Sequence, residues 1–405
     1  MSLQVVIVGG GLGGLEAAFS LRNLLRSSVE ITLIDRHAYH SFTPSIHEIV
    51  SGKVRPEAIR IPLTVVLKPA GINFVQDEVL SVNPEMREVI SREGTLHYDY
   101  LVLSSGAENN FYGVTGVDKH SYRFRTPGDA ERIRADLESL LADPISRFTV
   151  VLAGGGTEGV EVAGELLDAV TGHGREEDLG SGRISVELIE GREHLLPGFP
   201  LKAQEFVENY LSHRGVKLFT SSRIEKVRND RVILESGSER VMAMLLWTGG
   251  IQPMKLIREL PLPKDPSGWL KVTDRLHSPD DERIYGIGDA ITIQAFGSSV
   301  PLPRLAYHAQ DQARVAGLNI FSSINGRALV PYVPKLKPQL ISLGGDMGIM
   351  VDGERFFSGS WIVTLKKAIE RKHMMTYLTK PVTSAIAARI PGMNFLSGIW
   401  RRLPI

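Results

Sequence analysis

The sequence predicts an α/β protein with two Rossmann-like units and a C-terminal amphipathic helical tail. Two observations support this fold class: a strand, a glycine-rich turn, a helix and a second strand follow one another near residue 4, and the same order returns near residue 148. At 405 residues, the chain is also longer than one hydrophobic core usually organises. Its content of 43% hydrophobic and 23% charged residues is typical of a soluble globular enzyme.

Composition excludes several classes of function. The 46 basic residues balance 46 acidic residues, so no overall field attracts nucleic acid. The absence of cysteine excludes disulfides, thiolate metal sites, redox-active dithiols and cysteine nucleophiles. The N-terminal region lacks the features of a secretory signal, and no window of about 18 apolar residues suits a spanning helix. We therefore expect any membrane contact to be peripheral.

The first unit has a predicted strand from Gln4 to Val8, a helix from about Gly13 to Leu25 and a strand from Glu30 to Ile34. The turn after the first strand has the glycine spacing of a dinucleotide-binding loop, at Gly9, Gly11 and Gly14. The first glycine permits a tight turn, the second lets backbone approach a pyrophosphate, and the third packs helix on strand. Asp35 ends the second strand, where a carboxylate can bind ribose hydroxyls.

The second unit repeats this pattern. Its strand from Phe148 to Ala153, its helix to about Val170 and its strand from Ile184 to Ile189 enclose a second glycine loop, with Gly154, Gly156 and Gly159. Glu190 ends the second strand, and an acid there repels a 2′-phosphate. We therefore expect NADH to be preferred to NADPH. Arg192 is either a cation that weakens this preference or an exposed loop residue.

The other predicted elements connect and flank these units. They are a strand from Tyr98 to Leu103, a helix from Arg123 to Leu141, a solvated loop from Gly172 to Gly182, strands from Val232 to Leu234 and Met242 to Thr248, a proline-rich connector from Pro253 to Pro266, a strand within Ile284 to Ala290 and a helix from Leu305 to Ile320. Prolines near residue 331 end the regular pattern. The predicted domains are residues 1–112 with 250–330, residues 113–249, and a C-terminal region of residues 331–405.

The segment IYGIGDA delivers Gly288 and Asp289 at the end of a strand. A small residue there allows close approach, and a carboxylate accepts hydrogen bonds from a polyol. Taken alone, the segment is also typical of a helix N-cap. Its position after both nucleotide units favours the polyol interpretation.

The order of five segments resembles the two-dinucleotide flavoprotein superfamily that includes glutathione reductase. The segments are GGGLGGLEAA, YDYLVLSSG, GGGTEGVEVAGEL, WTGG and GIGDA. Within that superfamily, HAYHSFTPSIHEIVSG, GVEVAGEL and SGSW are most similar to the type II NADH dehydrogenases, the alternative NADH:quinone oxidoreductases. The resemblance covers roughly Leu3 to Ile320 and extends more loosely into the tail.

The resemblance implies cofactors and site residues. Non-covalent FAD is expected at Gly9, Gly10, Gly11, Gly13, Gly14, Asp35, Arg36, Pro44, Ser105, Gly106, Gly288 and Asp289, the last at the flavin ribityl chain. NADH is expected at Gly154, Gly156, Thr157, Glu158, Gly159, Glu190 and Gly249. Glu161 resembles the family glutamate near the nicotinamide and is the candidate catalytic residue. Its alternative role is an acid near a helix N-terminus, favoured by the helix dipole.

The missing cysteines separate this chain from disulfide reductases and sulfide:quinone oxidoreductases, which share the fold and use cysteines for catalysis. The resemblance implies hydride transfer from NADH to flavin and electron transfer to a quinone, without proton pumping. A soluble reductase of a small redox protein such as ferredoxin, or a slow FAD- and NADH-binding sensor, are the alternatives. His37, His40 and His47 have no local carboxylate partners, so no metal site is expected.

Type II enzymes show an Ala-Gln-x-Ala-x-Gln pattern in the helix that follows the flavin aspartate. Here that helix places Tyr307 and Asp311 where the glutamines are expected. The tentative quinone residues are therefore Ala306, Tyr307 and Gln310.

The tail is basic and amphipathic. Residues 356–405 contain eight lysines and arginines against one acid, Glu370. Trp361, Leu365, Ala368 and Ile369 recur near helical spacing, with Lys366, Lys367, Arg371 and Lys372 expected on other faces. Further apolar positions are Ile386, Ile390, Met393, Phe395, Leu396, Ile399 and Trp400. This pattern suits an anionic membrane interface, and we expect the cytoplasmic side of the cell membrane. An apolar face packed on the body or on a homodimer partner is the alternative.

Overall fold

Two five-stranded parallel sheets form the body of the protein. The computed structural model describes residues 2–294 and 301–389, with side-chain positions as far as residue 379. In spatial order, the first sheet contains Ile284–Gly286, Tyr100–Leu103, Leu3–Val8, Val29–Asp35 and Asn73–Gln76. The second contains Tyr122–Arg123, Met244–Trp247, Phe148–Ala153, Ile184–Ile189 and Val216–Phe219. All neighbouring strands within each sheet are parallel, which confirms the predicted Rossmann-like units.

Each glycine loop follows the middle strand of its sheet. In the first sheet, Leu3–Val8 pairs with Val29–Asp35 on one side and with Tyr100–Leu103 on the other. In the second sheet, Phe148–Ala153 pairs in the same way with Ile184–Ile189 and Met244–Trp247. The chain therefore leaves each middle strand at a topological switch point, where parallel α/β sheets open a crevice for ligands.

The described residues also form six smaller sheets, three with three strands and three with two strands. The three-stranded antiparallel sheets are Val79–Asn83 with Glu88–Ser91 and Thr95–His97, Ile224–Arg228 with Arg231–Leu234 and Glu239–Val241, and Gln339–Ser342 with Gly348–Asp352 and Arg355–Gly359. The two-stranded pairs are Tyr39–Ser41 with Arg60–Pro62, Ala107–Asn109 with Ile251–Pro253, and Leu270–Lys271 with Ile291–Thr292.

The α-helices are α1 (Leu12–Leu25), α2 (Leu63–Leu67), α3 (Val117–His120), α4 (Pro127–Ala142), α5 (Thr157–Gly172), α6 (Glu176–Gly180), α7 (Leu201–His213), α8 (Lys255–Glu259), α9 (Ala306–Ile324) and α10 (Ser360–Arg389). The 3₁₀ helices are Thr43–Ile49, Pro56–Ile59, Lys68–Ala70 and Gly288–Ala290. No helix in the described part of the chain is both long and apolar enough to cross a bilayer.

Helix α4 begins four residues later than predicted. Thr126 precedes it and forms a reciprocal capping box with Asp129. The Asp129 N–H donates to Thr126 Oγ1 at 3.1 Å, and the Thr126 N–H donates to Asp129 Oδ2 at 2.8 Å. Pro127 then occupies the first helical turn, where its missing N–H is not needed. The predicted start at Arg123 was wrong because this cap fixes the boundary.

The segment Gly172 to Gly182 is not the solvated loop that the sequence suggested. It contains α6, and both Arg175 and Asp178 are buried. The Arg175 guanidinium donates to Asp178 and to the backbone oxygen of Asp143, the latter at 2.7 Å. The ion pair therefore orders this segment, and the hydrogen bond to Asp143 anchors it to the end of α4.

The C-terminal region contains a three-stranded sheet that the sequence analysis missed, followed by the predicted helix. Ile362, Val363 and Tyr377 of α10 are buried against the body. Trp361 and Leu365 are instead exposed, at 50% and 37%. The body thus covers one face of α10 and leaves the predicted apolar stripe open. The predicted positions Ile390, Met393, Phe395, Leu396, Ile399 and Trp400 lie outside the described residues, as does the side chain of Ile386.

Hydrophobic packing joins the two units. Phe42, Ile49 and Ile59 follow the first unit in sequence, yet they belong to the core cluster of the second unit. Met374 of α10 packs against the cores of both units. The crevices after the two middle strands are consequently held in one packed body.

Candidate functional site

The first glycine loop is shaped by two glycines that tolerate no side chain. Gly9 has a φ of 103°, and a Cβ there would lie 2.3 Å from the Ser104 carbonyl oxygen. A Cβ on Gly14 would lie 1.8 Å from the Gly9 carbonyl oxygen. Gly11 differs, because nothing lies within 4 Å of its Cβ position and α1 begins at the next residue. The loop is therefore tight at its base and open at the helix N-terminus, as a phosphate requires.

The Asp35 carboxylate is hydrogen-bonded to this loop. Its Oδ2 accepts the Gly10 N–H at 2.6 Å, and its Oδ1 accepts the His37 N–H at 2.7 Å. Burial opposes ionisation, but hydrogen bonds from His37 and Gly10 outweigh it and hold the pKa of Asp35 below its usual value. An ionised carboxylate accepts roughly four hydrogen bonds. It therefore keeps acceptor capacity for ribose hydroxyls.

The strand from Tyr100 to Leu103 brings the next predicted residues to the same crevice. Ser104 contacts Gly9 and lies beside Gly13, whose Cβ would lie 2.9 Å from Ser104 Oγ. The hydroxyl of Ser105 is buried without a hydrogen-bond partner. Such an orphaned donor implies a ligand that completes it. Of the other predicted residues, Gly106 has a φ of 73° and open space around it, Arg36 is exposed, and Pro44 is half-buried at the start of a 3₁₀ helix.

Gly288 and Asp289 close the crevice from the opposite side. The Gly288 N–H donates to Gln312 Oε1 at 2.7 Å, which fixes the turn on α9. Asp289 Oδ2 lies 3.8 Å from Arg125 Nη2, and burial raises the pKa of Asp289 against the opposing charges of Arg125 and Arg304. The lining of the adjoining cleft includes Gly288, Asp289, Arg304, His308, Ala309 and Gln312.

These features fit FAD. An open glycine at a helix N-terminus suits the pyrophosphate, Asp35 suits a ribose, and Asp289 supplies a carboxylate for the ribityl hydroxyls. The Ser105 hydroxyl is buried without a hydrogen-bond partner in the protein, and bound FAD could supply one. The individual assignments remain predictions.

The second glycine loop has the same construction. Gly154 has a φ of 113°, and its Cβ would lie 2.7 Å from the Cα of Gly249. A Cβ on Gly159 would lie 1.9 Å from the Gly154 carbonyl oxygen, whereas Gly156 is open. Helix α5 begins directly afterwards, at Thr157. The predicted NADH glycines thus converge as the FAD glycines do.

Glu190 repeats the role of Asp35. Its Oε2 accepts the Gly155 N–H at 2.7 Å, and its Oε1 accepts the Arg192 N–H at 2.8 Å. The Arg192 side chain is exposed. Glu158 lies in the first turn of α5, where burial raises its pKa to about 7 against the opposing charge of Arg125. Arg125 therefore influences acids of both nucleotide sites.

Glu161 lies at the centre of a buried polar cluster rather than on an open helix end. Its Oε1 accepts hydrogen bonds from the Ser342 N–H at 3.1 Å and from the Lys366 ammonium. Its Oε2 lies 3.7 Å from His47 Nδ1. Burial opposes ionisation, but His47 and Lys366 outweigh it and hold the pKa of Glu161 below its usual value. Glu161 is therefore an ionised carboxylate whose side chain is only 15% exposed.

The sequence analysis placed Lys366 on a face of the tail helix other than that of Trp361 and Leu365, but it did not predict that this side chain is mostly buried. Its side chain is only 12% exposed and lies against Glu161. Burial opposes its charge, but Glu161 and Glu370 outweigh this and raise the pKa of Lys366. A buried ammonium requires such a carboxylate partner. Helical spacing alone did not reveal that a partner lay 205 residues away.

His47 completes the cluster as a neutral imidazole. Burial lowers its pKa to about 4. Its Nε2 lies 3.2 Å from Lys366 Nζ and 3.0 Å from Ser342 Oγ. Because the ammonium only donates, Nε2 is the acceptor and the proton resides on Nδ1, facing Glu161. Sequence reasoning considered His47 only as a metal ligand and rejected that role.

The tentative quinone residues contact different neighbours. Gln310 is buried, and its Nε2 donates to the Tyr377 hydroxyl at 2.5 Å. Tyr307 is half-buried, with Lys337 Nζ 5.0 Å from its ring centroid. Ala306 is exposed at the start of α9. Their role in binding an acceptor remains a prediction.

Comparison with known proteins supports the fold. The sequence profile of the pyridine nucleotide-disulphide oxidoreductase family matches residues 3–313. The demethylphylloquinone reductase of Synechocystis sp. is 26% identical over 400 residues, covering 94% of this chain and 96% of that protein. The type II NADH:quinone oxidoreductase of Staphylococcus aureus is 24% identical over 380 residues, covering 91% and 94%. The structure of NDH2 from Plasmodium falciparum in complex with NADH has the same fold, with a TM-score of 0.81 at 20% identity and coverage of 97% and 99%.

Proposed function

Since the chain belongs to the pyridine nucleotide-disulphide oxidoreductase family, we propose that it is a FAD-dependent NADH:quinone oxidoreductase that does not pump protons. The observation that carries this proposal is the pair of equivalent glycine loops, each fastened by a carboxylate, in a chain without cysteine. Because the chain has no cysteine, it cannot use dithiol chemistry. Electrons from NADH must therefore pass to an acceptor whose reduction needs no protein thiol. The names of the two relatives favour a quinone.

The residues divide between the two nucleotides. The first glycine loop, Asp35, Ser105 and Asp289 hold FAD without a covalent bond, and the second loop with Glu190 holds NADH. FAD supplies the capacity to accept a hydride and to pass its electrons onward. The protein's contribution is to bind the nicotinamide close to the flavin, to exclude water and to admit the acceptor.

Glu161 is the proposed catalytic residue. Ser342 and Lys366 fix its carboxylate, and the neutral His47 faces its second oxygen. Oriented and ionised at neutral pH, it can accept a proton and pass it to the acceptor. Lys366 holds the nearest exchangeable proton, on Nζ.

The tail helix supports peripheral attachment to the cytoplasmic face of the membrane, where quinone is found. The exposed apolar residues of this region are Phe357, Trp361, Leu365, Met375 and Leu378. Exposed cations Lys367, Arg371 and Lys372 lie on the same helix. Aromatic and apolar side chains among cations suit an anionic lipid interface. A homodimer formed through this face is the competing arrangement.

Steady-state oxidation of NADH with quinones, a ferredoxin and oxygen as separate acceptors tests the function. We expect the highest kcat/KM with a quinone. Faster turnover with ferredoxin would identify a soluble reductase. Reduction by NADH without turnover on any acceptor would identify a nucleotide sensor.

A further inference from the structure

Glu370 is a buried acid that the proposed function does not use. It lies on α10 one turn after Lys366, and its side chain is 12% exposed. Its Oε1 has no hydrogen-bond partner and lies 3.9 Å from Lys366 Nζ. One ammonium therefore lies between two carboxyls, Glu161 on one side and Glu370 on the other. An unpartnered carboxyl oxygen in such a place calls for an explanation.

The proposed reaction provides one, because it consumes a proton. NADH releases two electrons and one proton, whereas a quinone takes up two electrons and two protons to become a quinol. One proton per turnover must therefore enter from solvent. Glu161 accepts hydrogen bonds from Ser342 and Lys366 and lies beside His47, so the Lys366 ammonium holds the exchangeable proton nearest to it.

We propose that Glu370 supplies this proton, acting through Lys366 on Glu161. Glu370 does not touch the acceptor. It acts through Lys366 and Glu161 and is therefore a positioning residue. The inference rests on the proposed function, since only a proton-consuming acceptor requires the route. Lys366 is bonded to Glu161 and close to Glu370, so it connects the two carboxyls.

The outer end of the route lies at the surface. Glu48 is buried, and its Oε1 lies 3.0 Å from Nζ of Lys367, whose side chain is 47% exposed. The charge of Glu48 acts on Glu370, so the two acids are neighbours. Protons can therefore be exchanged with solvent on the Lys367 side of α10.

Protonation near neutral pH supports the assignment. Burial raises the pKa of Glu370 to about 7, with Lys366 opposing this and the charges of Glu48 and Glu161 adding to it; a hydrogen bond from Ser45 lowers it. Between turnovers Lys366 is protonated, Glu161 is ionised and His47 is neutral. Glu370 is therefore the member of the cluster that gains and loses a proton in the working range.

The transfer balances as a relay. The two transfers are concerted: an N–H bond of Lys366 breaks as its proton passes to Glu161, while the O–H bond of Glu370 breaks and its proton restores the ammonium. The new O–H bond of Glu161 then breaks as the proton passes to the acceptor, and Glu161 is ionised again. Glu370 then takes a proton from solvent on the Glu48 and Lys367 side. No electrons move in these steps.

The test compares Glu370→Gln with wild type in quinone and ferricyanide assays. Ferricyanide accepts electrons without protons, so its reduction does not need the route. We expect quinone kcat at pH 6 to fall on the order of tenfold in Glu370→Gln. Wild-type quinone kcat should decline as pH rises through about 7, where Glu370 loses its proton, and the variant should lose this titration. Ferricyanide kcat and the rate of flavin bleaching by NADH should be unchanged.

Two variants control for structure. Glu165→Gln alters another buried carboxyl of α5 that pairs with Lys53 outside the route, and it should keep the wild-type pH profile. Glu370→Asp retains an ionisable group, so its quinone kcat should still depend on pH, with a shifted midpoint. This variant tests the inference if Glu370→Gln does not fold. A wild-type pH profile with quinone in Glu370→Gln would overturn the inference. A wild-type enzyme that reduces no quinone would instead overturn the proposed function.

Discussion

At the scale of single residues, the same device recurs at both nucleotide sites: a strand-end carboxylate accepts the N–H of a loop glycine. Asp35 does so for Gly10 and Glu190 for Gly155, at 2.6 and 2.7 Å. Each also accepts an N–H from the residue two positions on, His37 or Arg192. Each acid therefore shapes its loop. Because we also propose that each binds a ribose, its removal should disturb both the loop and nucleotide binding.

Asp289→Ala should lose most of its bound FAD. The variant removes the carboxylate assigned to the ribityl chain, while the exposed Asp280 of the preceding turn offers a matched control, Asp280→Ala. Flavin absorbance per protein in the purified variants measures this directly. A fully flavinated Asp289→Ala would contradict the assigned role.

Glu190→Gln should narrow the preference for NADH over NADPH by about tenfold, because it removes a charge that repels a 2′-phosphate yet keeps its hydrogen-bonding oxygen. The ratio of kcat/KM for the two nucleotides is the measurement. Glu193→Gln, an exposed neighbour, should leave the ratio unchanged. Equal use of both nucleotides by wild type would mean that Arg192 or another cation overrides the acid.

Lys366→Met should lower the free energy of unfolding by about 3 kcal/mol, because it leaves the Glu161 carboxylate without its cationic partner. The pH dependence follows from the low pKa of Glu161 in the folded protein. The pair stabilises the fold above the ordinary glutamate pKa of about 4.3 and loses this contribution as pH falls through the lowered value.

Denaturant unfolding at neutral and acidic pH checks this prediction. The difference between Lys366→Met and wild type should shrink in acid. Lys372→Met removes an exposed cation from the same helix and should change the stability little. Equal stability of Lys366→Met and wild type at neutral pH would refute the buried pair.

At the scale of elements, α10 has one face buried against the body and one exposed face. Ile362 and Val363 are packed into the body, whereas Trp361 and Leu365 are open. Trp361→Ser with Leu365→Ser should weaken sedimentation with anionic liposomes and leave the melting temperature close to wild type. Ile362→Ser should instead destabilise the protein by roughly 2–4 kcal/mol, as a truncated core residue does. Unchanged liposome binding by the double variant would favour the homodimer arrangement for this face.

The sequence predicted the elements whose signals are local. Both glycine loops and the acids that end the following strands were assigned from residue spacing alone. The loops could be recognised because their tight turns require a positive φ, which glycine adopts most readily. The start of α4 was misplaced since the capping box of Thr126 and Asp129 was not recognised. The partners of Glu161 were not predicted, because Ser342 and Lys366 approach it only through tertiary packing.

At the scale of the whole molecule, the tail connects the proposed membrane contact to the site. Truncation after Lys380 removes the distal part of the tail and retains Lys366, Glu370 and Tyr377. We expect quinone reduction in liposomes to fall more than flavin bleaching by NADH does, because the nucleotide sites lie in the retained body. Added salt should weaken liposome binding of the intact chain, since each lysine or arginine contributes on the order of 1 kcal/mol at an anionic surface.

The central claim is tested most directly by sequential-mixing stopped flow. The protein is first reduced anaerobically with one equivalent of NADH and then mixed with a quinone or with a ferredoxin. We predict that quinone restores the flavin absorbance in a single turnover at least as fast as steady-state NADH oxidation, and that ferredoxin restores it far more slowly. Flavin that stays reduced with every quinone while ferredoxin reoxidises it would contradict the assignment.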